Sequence, residues 1–277
     1  HVRKERFTEV VLSTPGPVGL VGLLAARILG LPVKGIYHTD FPRYVRVLTQ
    51  DSGMEGIAWA YMHWFFAGLD GLYVNSAPYR DEWIARGVDG EKIEILPRGI
   101  DSLLFHPRRR NKDFWPQRGA KAALVLLYVG RISKEKDLDM LPYLMRGLKG
   151  RDVVLAVVGD GPYKQELETL VPQTIFIGVL HGENLASAYA SADLFVFPST
   201  TDTYGNVVAE ALASGLPCVV SNAGGPASLI KDGVTGYVSK ARDQKDFLGK
   251  VLSLVESPQK LREMQLNVLS EPITQSW

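Results

Sequence analysis

The sequence predicts an α/β protein made of two doubly wound units, each with a parallel sheet. Short apolar runs alternate with helical segments along most of the chain, a pattern typical of parallel strands joined by crossover helices. The chain has 277 residues, enough for about two domains. With 46% hydrophobic and 22% charged residues, it can bury a core in each of them.

The first series of segments occupies residues 1–96. In chain order, the predicted strands are 10–13, 33–37, 71–74 and 93–96, and the predicted helices are 18–29, 54–66 and 78–85. After the second strand, we expect Arg43, Tyr44 and Arg46 to lie on a loop. There they could contact an anionic acceptor, although plain surface placement explains them equally well. The aromatic residues of 54–66 do not keep to one narrow face, which favours a packed helix over one that lies on a membrane.

A second alternating series begins at residue 122. Its predicted strands are 122–129, 153–158, 175–177, 194–197 and 217–221, and its predicted helices include one that begins near residue 206 and another at 247–255. Cys218 falls in an apolar run and is predicted to be a buried strand thiol. Because it is the single cysteine, no disulfide can form within the chain, and a chain without disulfides suits the cytoplasm.

Charge argues against a nucleic-acid-binding protein, and hydropathy argues against a membrane-spanning helix. The 31 basic and 30 acidic residues leave a net charge of +1, whereas a nucleic-acid-binding protein has a basic excess. The most apolar stretch, 17–33, contains Arg27 and Pro32 and is a poor membrane span. No signal peptide is visible, and the chain starts at His1, so we expect a fragment.

The stretch 197–212 carries the strongest functional signal. It joins the end of a predicted buried strand to a helix that begins near Asn206. Amides at a helix start attract an anion, and Gly205 allows a phosphate or sugar to approach the backbone. Asp202 and Glu210 flank these amides. Because carboxylates repel a diphosphate, we expect both to accept hydrogen bonds from hydroxyls beside it, which describes a nucleotide sugar.

This stretch resembles the Glu-x7-Glu signature of the family 4 retaining glycosyltransferases, which have the GT-B fold. Asp202 stands in place of the first Glu, and residues 211–217 continue as in the family. The resemblance implies that Asp202 contacts the transferred sugar and Glu210 the nucleotide ribose. It also implies that the residues around them, Thr203, Tyr204, Gly205, Asn206 and Val207, bind the donor. The similarity extends over roughly residues 10–256.

A basic loop, 130–136, follows the first strand of the second series. Ligands of open α/β sheets bind at the carboxyl ends of strands, so Gly130 and its neighbours are placed near the donor. Arg131 and Lys136 can neutralise a diphosphate, and the resemblance implies that they hold it and stabilise its charge as it leaves. A short basic loop that did not follow a strand end in this way would more often carry ordinary surface charge.

Two further segments resemble donor-binding parts of the family. Gly159 and Gly161 lie in a turn at a strand end and allow close approach, although glycine turns end most such strands. The segment 178–181 corresponds to the place where the family lays the nucleotide base, so His181 is a candidate contact. An ordinary surface histidine explains it equally well. The loop 221–226 resembles the glycine loop that approaches the transferred group.

His38 is the candidate catalytic residue of the first series. It follows a predicted strand, and in the family a histidine at this position lies near the donor sugar and the acceptor. A strand-end histidine considered alone is more often structural.

The resemblance also implies the domain organisation. Residues 1–96 form the second half of an acceptor-side domain, 97–121 an interdomain linker, 122–256 the nucleotide-sugar-binding domain and 257–277 a C-terminal helix or tail. The basic run 108–110 with Lys112 is predicted to be solvated, with anionic lipid as the alternative partner. With the first domain incomplete, we expect donor binding to survive in this chain and transfer to be weak.

The sequence therefore predicts a retaining glycosyltransferase that moves a sugar from GDP-mannose or a UDP-sugar to a lipid or saccharide acceptor. Residues 201–206 resemble bacterial mannosyltransferases. No metal or other cofactor is expected, because no ligand-type His/Asp cluster occurs and Arg131, Lys136 and the helix amides can supply the charge. The location is cytoplasmic, with peripheral contact at the inner face of the membrane left open. Two alternatives remain: a non-catalytic nucleotide-sugar-binding or regulatory protein, and a GT-B epimerase.

Overall fold

The computed structural model describes residues 7–96 and 98–271. The chain divides into two compact units: one contains His1–Pro97 together with Thr201–Tyr204, and the other contains Arg98–Thr200 and Gly205–Trp277. Each unit has its own sheet, and every strand pair in both sheets is parallel. The α/β class with two parallel sheets is therefore confirmed.

The first unit has a four-stranded sheet with the strand order β1-β2-β3-β4. Its strands are β1 (Val10–Leu12), β2 (Val33–Tyr37), β3 (Gly71–Val74) and β4 (Ile93–Ile95). Its helices are α1 (Pro17–Leu29), α2 (Phe41–Thr49), α3 (Ser52–Ala67) and α4 (Ala77–Ala85). The predicted segments of this series are confirmed to within a few residues, and α2 is additional.

The loop prediction for Arg43, Tyr44 and Arg46 was wrong, because these residues lie in α2. Asp40 caps this helix by accepting a hydrogen bond from the Arg43 amide at 3.3 Å, and proline is tolerated in a first turn because no amide donor is needed there. The Arg43 Nε lies 3.1 Å from Asp40, and the Arg46 guanidinium lies 3.8 Å from Glu55. Both arginines are thus paired inside the unit.

The core of the first unit is aromatic. Trp59, Phe65 and Phe66 of α3 are buried, and Tyr37 and Trp83 pack against them. The prediction of a packed α3 is confirmed.

One side of α1 is apolar and exposed. Val18, Val21 and Ile28 are 79%, 68% and 72% exposed. In the ranges that the structure describes, no helix has both the length and the apolar character needed to cross a bilayer.

The second unit has a six-stranded sheet with the order β10-β9-β8-β5-β6-β7. Its strands are β5 (Leu124–Val129), β6 (Val153–Val158), β7 (Ile175–Phe176), β8 (Leu194–Phe197), β9 (Cys218–Ser221) and β10 (Gly236–Ser239). Its helices are α5 (Met140–Gly147), α6 (Lys164–Leu170), α7 (Gly182–Ser191), α8 (Asn206–Ala213), α9 (Gln244–Val255) and α10 (Pro258–Ser270). Cys218 is buried in β9, as predicted.

The residues directly after position 97 already belong to the second unit and pack into it. Phe105, Phe114 and Trp115 are buried in its core. In the basic run, Arg109 forms an ion pair with Glu183 at 2.8 Å, and Arg110 donates to the carbonyl oxygens of residues 190 and 192. The Arg110 side chain is 55% exposed despite these contacts, as expected of a solvated run, whereas the Arg109 side chain is 29% exposed and departs from that expectation. Their partners lie on and beside α7, about 75 to 80 residues further along, where a sequence pattern gives no signal.

Candidate functional site

The second sheet has a topological switch point at β5. This strand lies between β6 and β8, so the chain builds the sheet outward in opposite directions from it. In open α/β sheets, ligands bind outside the carboxyl ends of the strands at such a point. The loop residues of the second unit at this edge are 130–136 after β5, 159–162 after β6 and 198–200 after β8, with Gly205 at the start of α8. Fold topology thus brings the predicted donor loops to one edge of one sheet.

The glycines in these loops allow backbone to pack on backbone. A Cβ atom at Gly159, where φ is +144°, would lie 1.9 Å from the carbonyl oxygen of Gly130. A Cβ at Gly161 would lie 2.3 Å from the carbonyl oxygen of Ile132, whose amide donates to Asp160 O at 2.9 Å. From the sequence, we predicted that these glycines allow a ligand to approach closely. The contact between the two loops is a second requirement, which the sequence pattern did not reveal.

The two predicted cations of the 130–136 loop differ in their surroundings. Arg131 is exposed, and its guanidinium has no hydrogen bond or ion pair with any described residue. Lys136 is half-buried at the end of a short 3-10 helix, Lys134–Lys136. Lys134 is paired with Glu166 at 3.0 Å. Arg131 therefore projects its charge into solvent, where it can meet an anion.

The start of α8 has the features predicted for an anion site. Gly205 precedes the helix with φ +92°, and a Cβ there would lie 2.9 Å from Pro226 Cγ. Among the described residues, no side chain caps the first turn, so a capping residue does not satisfy its amides. Asn206 is exposed, Val207 is half-buried and Tyr204 is buried. The 221–226 loop supplies the proline that packs against Gly205.

Glu210 lies one turn inside α8 and is held by a tyrosine. Its Oε2 accepts a hydrogen bond of 2.8 Å from the buried hydroxyl of Tyr189 on α7. Burial raises the pKa of the Glu210 carboxyl, and the hydrogen bond from Tyr189 acts in the opposite direction. Within the described part of the chain, Glu210 makes no other side-chain hydrogen bond. The carboxylate is oriented through one oxygen, and the other can accept from a ligand hydroxyl.

His181 is exposed just before the first residue of α7, and its side chain caps no amide there. Its surroundings give no reason to prefer a base contact over a surface position.

Residues 201–204 group with the first unit. Thr203 Oγ1 donates to His38 O at 2.8 Å and accepts from Asn75 Nδ2 at 3.0 Å. The Ser76 hydroxyl donates to Thr203 O at 3.0 Å. The hydroxyl and the carbonyl oxygen of Thr203, a residue that we predicted to contact the donor, are thus bonded to the protein. Asp202 beside it is half-buried.

His38 is exposed at the carboxyl end of β2 and lines a cavity of about 280 Å³. The other lining residues are mostly apolar and aromatic, with a few hydroxyls: Ser13, Thr14, Pro15, Gly16, Ile36, Tyr37, Thr39, Phe41, Tyr61, Met62 and Phe66. A surface of this kind suits a ligand with apolar and hydroxyl-bearing parts.

A buried carboxylate, Asp40, supports the turn that carries His38. Its oxygens accept hydrogen bonds from the hydroxyls of Tyr37 at 3.1 Å and Tyr79 at 2.8 Å, and the Arg43 Nε lies 3.1 Å away. Burial raises the pKa of Asp40, while the charge of Arg43 lowers it. Sequence reasoning missed this cluster. The available signal was an aspartate directly before a Phe-Pro helix start, since such a residue commonly caps a helix.

Comparison with known proteins decides the family. The model described as "Glycosyl transferases group 1" matches residues 109–268, which is more than half of the chain. The chain belongs to this family. A second model, "Glycosyltransferase Family 4", matches residues 1–102 of this group 1 chain.

Two similar relatives illustrate the range within this family. The sulfoquinovosyl transferase SQD2 of Arabidopsis thaliana is 34% identical over 251 residues, which cover 88% of this chain and 49% of that protein. A GDP-mannose-dependent alpha-mannosyltransferase of Corynebacterium glutamicum is 36% identical over 244 residues, 86% of this chain and 56% of that protein. The chain thus spans about half the length of these relatives.

Solved structures show the same fold. Anabaena HepE in complex with UDP and glucose superimposes with a TM-score of 0.79 at 20% identity, covering 99% of this chain and 75% of HepE. Sucrose-phosphate synthase from Thermosynechococcus elongatus gives a TM-score of 0.80 at 20% identity, covering 97% of this chain and 69% of that protein. The predicted GT-B fold is confirmed.

Among residues 7–96 and 98–271, no group of three or more His, Cys, Asp or Glu side chains is arranged to hold a metal ion.

Proposed function

We propose that this chain carries the donor site of a retaining glycosyltransferase that transfers a sugar from a nucleoside-diphosphate sugar to a lipid or saccharide acceptor. One observation carries the proposal: the uncapped start of α8, the oriented carboxylate of Glu210 in that helix and the exposed guanidinium of Arg131 follow strands that meet at one switch point. A helix start that can bind an anion, an acid that can accept from a hydroxyl, and a cation together match the diphosphate and hydroxyls of a nucleotide sugar.

The proposed roles follow from the charges. The α8 amides and Arg131, together with Lys136, bind the diphosphate and stabilise the negative charge that grows on it as the bond to the sugar breaks. Glu210 accepts a hydrogen bond from a ribose hydroxyl through the oxygen that Tyr189 does not occupy. Asp202 contacts the transferred sugar. Because these cations and amides supply positive charge at the diphosphate, we propose that the reaction requires no metal or other cofactor.

The transfer step balances without a carboxylate nucleophile. The bond between the anomeric carbon and the diphosphate oxygen breaks, the acceptor oxygen bonds to the same carbon on the same face, and the acceptor proton passes to the departing phosphate. A retaining glycosidase would instead need a pair of carboxylates. We propose that His38 acts near the sugar and the acceptor, whose apolar part would contact the cavity beside His38.

Two nucleotide bases, guanine and uracil, are candidates for the donor. The Corynebacterium relative is named for GDP-mannose, and HepE was solved with UDP. We propose GDP-mannose or a UDP-sugar as donor, and we place the reaction in the cytoplasm or at the inner face of the membrane.

The test is turnover of a donor panel. The protein is mixed with GDP- and UDP-sugars, with and without an extract of lipid and saccharide acceptors, and free nucleotide is measured. Nucleotide released only when the acceptor is present supports transfer. Since transfer by this chain is expected to be weak, release is followed over a prolonged incubation. Tight binding with no acceptor-dependent release even then would identify a nucleotide-sugar-binding regulator, and conversion of the donor without release would identify an epimerase.

A further inference from the structure

A second carboxylate at the switch point, Asp137, joins two loops. It directly follows Lys136, its φ is +53°, and its side chain is only 9% exposed. Its Oδ2 accepts hydrogen bonds from the Thr200 amide at 3.0 Å and from the Thr200 hydroxyl at 2.6 Å. Its Oδ1 accepts from Arg242 Nε at 2.9 Å. All three residues belong to the second unit.

The two ends of this contact lie in different loops of the second unit. Asp137 ends the basic loop that follows β5, whereas Thr200 lies in the loop that follows β8, shortly before Gly205 and the start of α8. One buried carboxylate therefore connects the loop that carries the cations to the loop that carries the helix amides. A diphosphate bound at this edge would need both loops at a fixed distance from each other.

We propose that Asp137 is a positioning residue that holds these two loops in the arrangement that binds the donor diphosphate, and that Arg242 neutralises its charge. This inference rests on the proposed function and adds a residue to it that no sequence motif indicated. Arg242 lies between β10 and α9 with φ +58°, a conformation that side chains rarely adopt. Its side chain is 58% exposed, and among the described residues it donates hydrogen bonds to Asp137 and to the Thr200 hydroxyl.

The hydrogen-bond pattern requires a carboxylate. Thr200 presents an amide donor to one oxygen, and Arg242 presents a guanidinium donor to the other. An asparagine has one acceptor oxygen and one donor amide, so it cannot accept from both partners. Asp137→Asn keeps the size of the side chain and should break the connection on one side.

The test compares Asp137→Asn with a matched control. Glu256→Gln removes a carboxylate of another ion pair, with Arg151, on a different surface of the second unit. For each protein, the dissociation constants of GDP and UDP are measured beside those of guanosine and uridine. We expect the advantage of the diphosphate over the nucleoside to fall about tenfold in Asp137→Asn, the scale of one charge-assisted hydrogen bond, and to stay unchanged in Glu256→Gln. Thr200→Val keeps the branched shape and the amide donor and loses only the hydroxyl, so it should lower the advantage of the diphosphate less.

A purely structural role would give a different result. If Asp137 only stabilised the fold, Asp137→Asn would lower the melting temperature and leave the ratio of nucleoside to diphosphate affinity unchanged, and this outcome overturns the proposal.

Hydrogen exchange makes the two proposals distinguishable. In Asp137→Asn, amide exchange should become faster in 134–139 and in 198–200 together. If the unmodified chain binds neither GDP nor UDP, the proposed function is wrong, and exchange alone then decides whether Asp137 joins the loops. Joint acceleration supports that connection, and unchanged exchange in 198–200 refutes it.

Discussion

Glu210 carries a charge that the fold makes costly and that a ligand can use. Its folded pKa lies above the ordinary value of 4.5, mainly because of burial. Its contribution to stability is therefore fully present below pH 4.5 and is lost as the pH rises through the folded pKa. Above the folded pKa the ionised carboxylate weakens the empty protein, which is expected of a group kept for binding.

Glu210→Gln should separate binding from stability. Gln keeps the shape and loses the charge, so the affinity for nucleoside diphosphate should fall by about 1 to 3 kcal/mol. The melting temperature at pH 7 should stay the same or rise. Calorimetric titration and a thermal melt measure the two quantities. Equal binding of ribose and deoxyribose diphosphates by the unmodified protein would remove the reason for assigning Glu210 to the ribose.

The same residue predicts a pH dependence. As the pH falls through the raised pKa of Glu210, the carboxylate takes up a proton and accepts hydrogen bonds less well. Diphosphate affinity should therefore weaken on the acid side in the unmodified protein, and Glu210→Gln should lack this decrease. A pH series of titrations, with each affinity corrected for protonation of the phosphate, tests this. An identical acid limb in both proteins would contradict it.

Arg131→Ala should weaken donor use without harming the fold, because the side chain is exposed and has no ion pair among the described residues. Loss of one charge-stabilising donor should cost about 2 to 4 kcal/mol of transition-state stabilisation. Arg131→Lys, which keeps the charge and loses the fork, should recover part of it. Nucleoside diphosphate binding that is the same in Arg131→Ala as in the parent would refute the assignment.

At the scale of elements, the sequence predicts strands better than connections. The apolar runs of β6 and β8 have the predicted bounds because a buried strand of a parallel sheet is apolar along most of its length. Helix α2 was missed because its start directly follows a strand end and contains a proline, which suggests a loop. Strand β10 begins at a glycine shortly after a turn, and only its pairing with β9 makes it a strand.

The loop contact at Gly159 gives a prediction of stability. Gly159→Ala would force a Cβ against the carbonyl oxygen of Gly130 at φ +144°, and strain of this kind costs about 1 to 3 kcal/mol before any clash is added. Gly249 is the matched control, since it lies in α9 and an added Cβ there would meet open space among the described residues. Gly249→Ala should stabilise by about 0.5 to 1 kcal/mol. Denaturant unfolding of both variants decides, and a Gly159→Ala protein as stable as the parent would contradict the contact.

At the scale of the molecule, the proposed function gives the residues of the two units separate tasks. The proposed donor residues other than 201–204 belong to the second unit, and His38 belongs to the first. Motif spacing predicted the donor loops because each lies at the end of an apolar strand. It could not predict Asp40 or Asp137, whose partners are distant in sequence and are brought close only by folding.

His38→Ala should therefore separate transfer from donor binding. The side chain is exposed, so its loss should leave the melting temperature and the nucleoside diphosphate affinity unchanged, while turnover with an acceptor extract falls. Arg131→Ala should lower both binding and turnover. Titration and the nucleotide-release assay are run on the two variants side by side. A large loss of diphosphate affinity in His38→Ala would show that the tasks are not divided in this way.

The most direct test of a donor site in the second unit is calorimetric titration of GDP and of UDP into the 277-residue chain and its Glu210→Gln and Arg131→Ala variants. We predict that the unmodified chain binds one of the two nucleotides at a single site, and that each variant binds it at least several-fold more weakly, as loss of a charge-assisted contact requires. No binding of either nucleotide, or equal binding by all three proteins, would contradict the account.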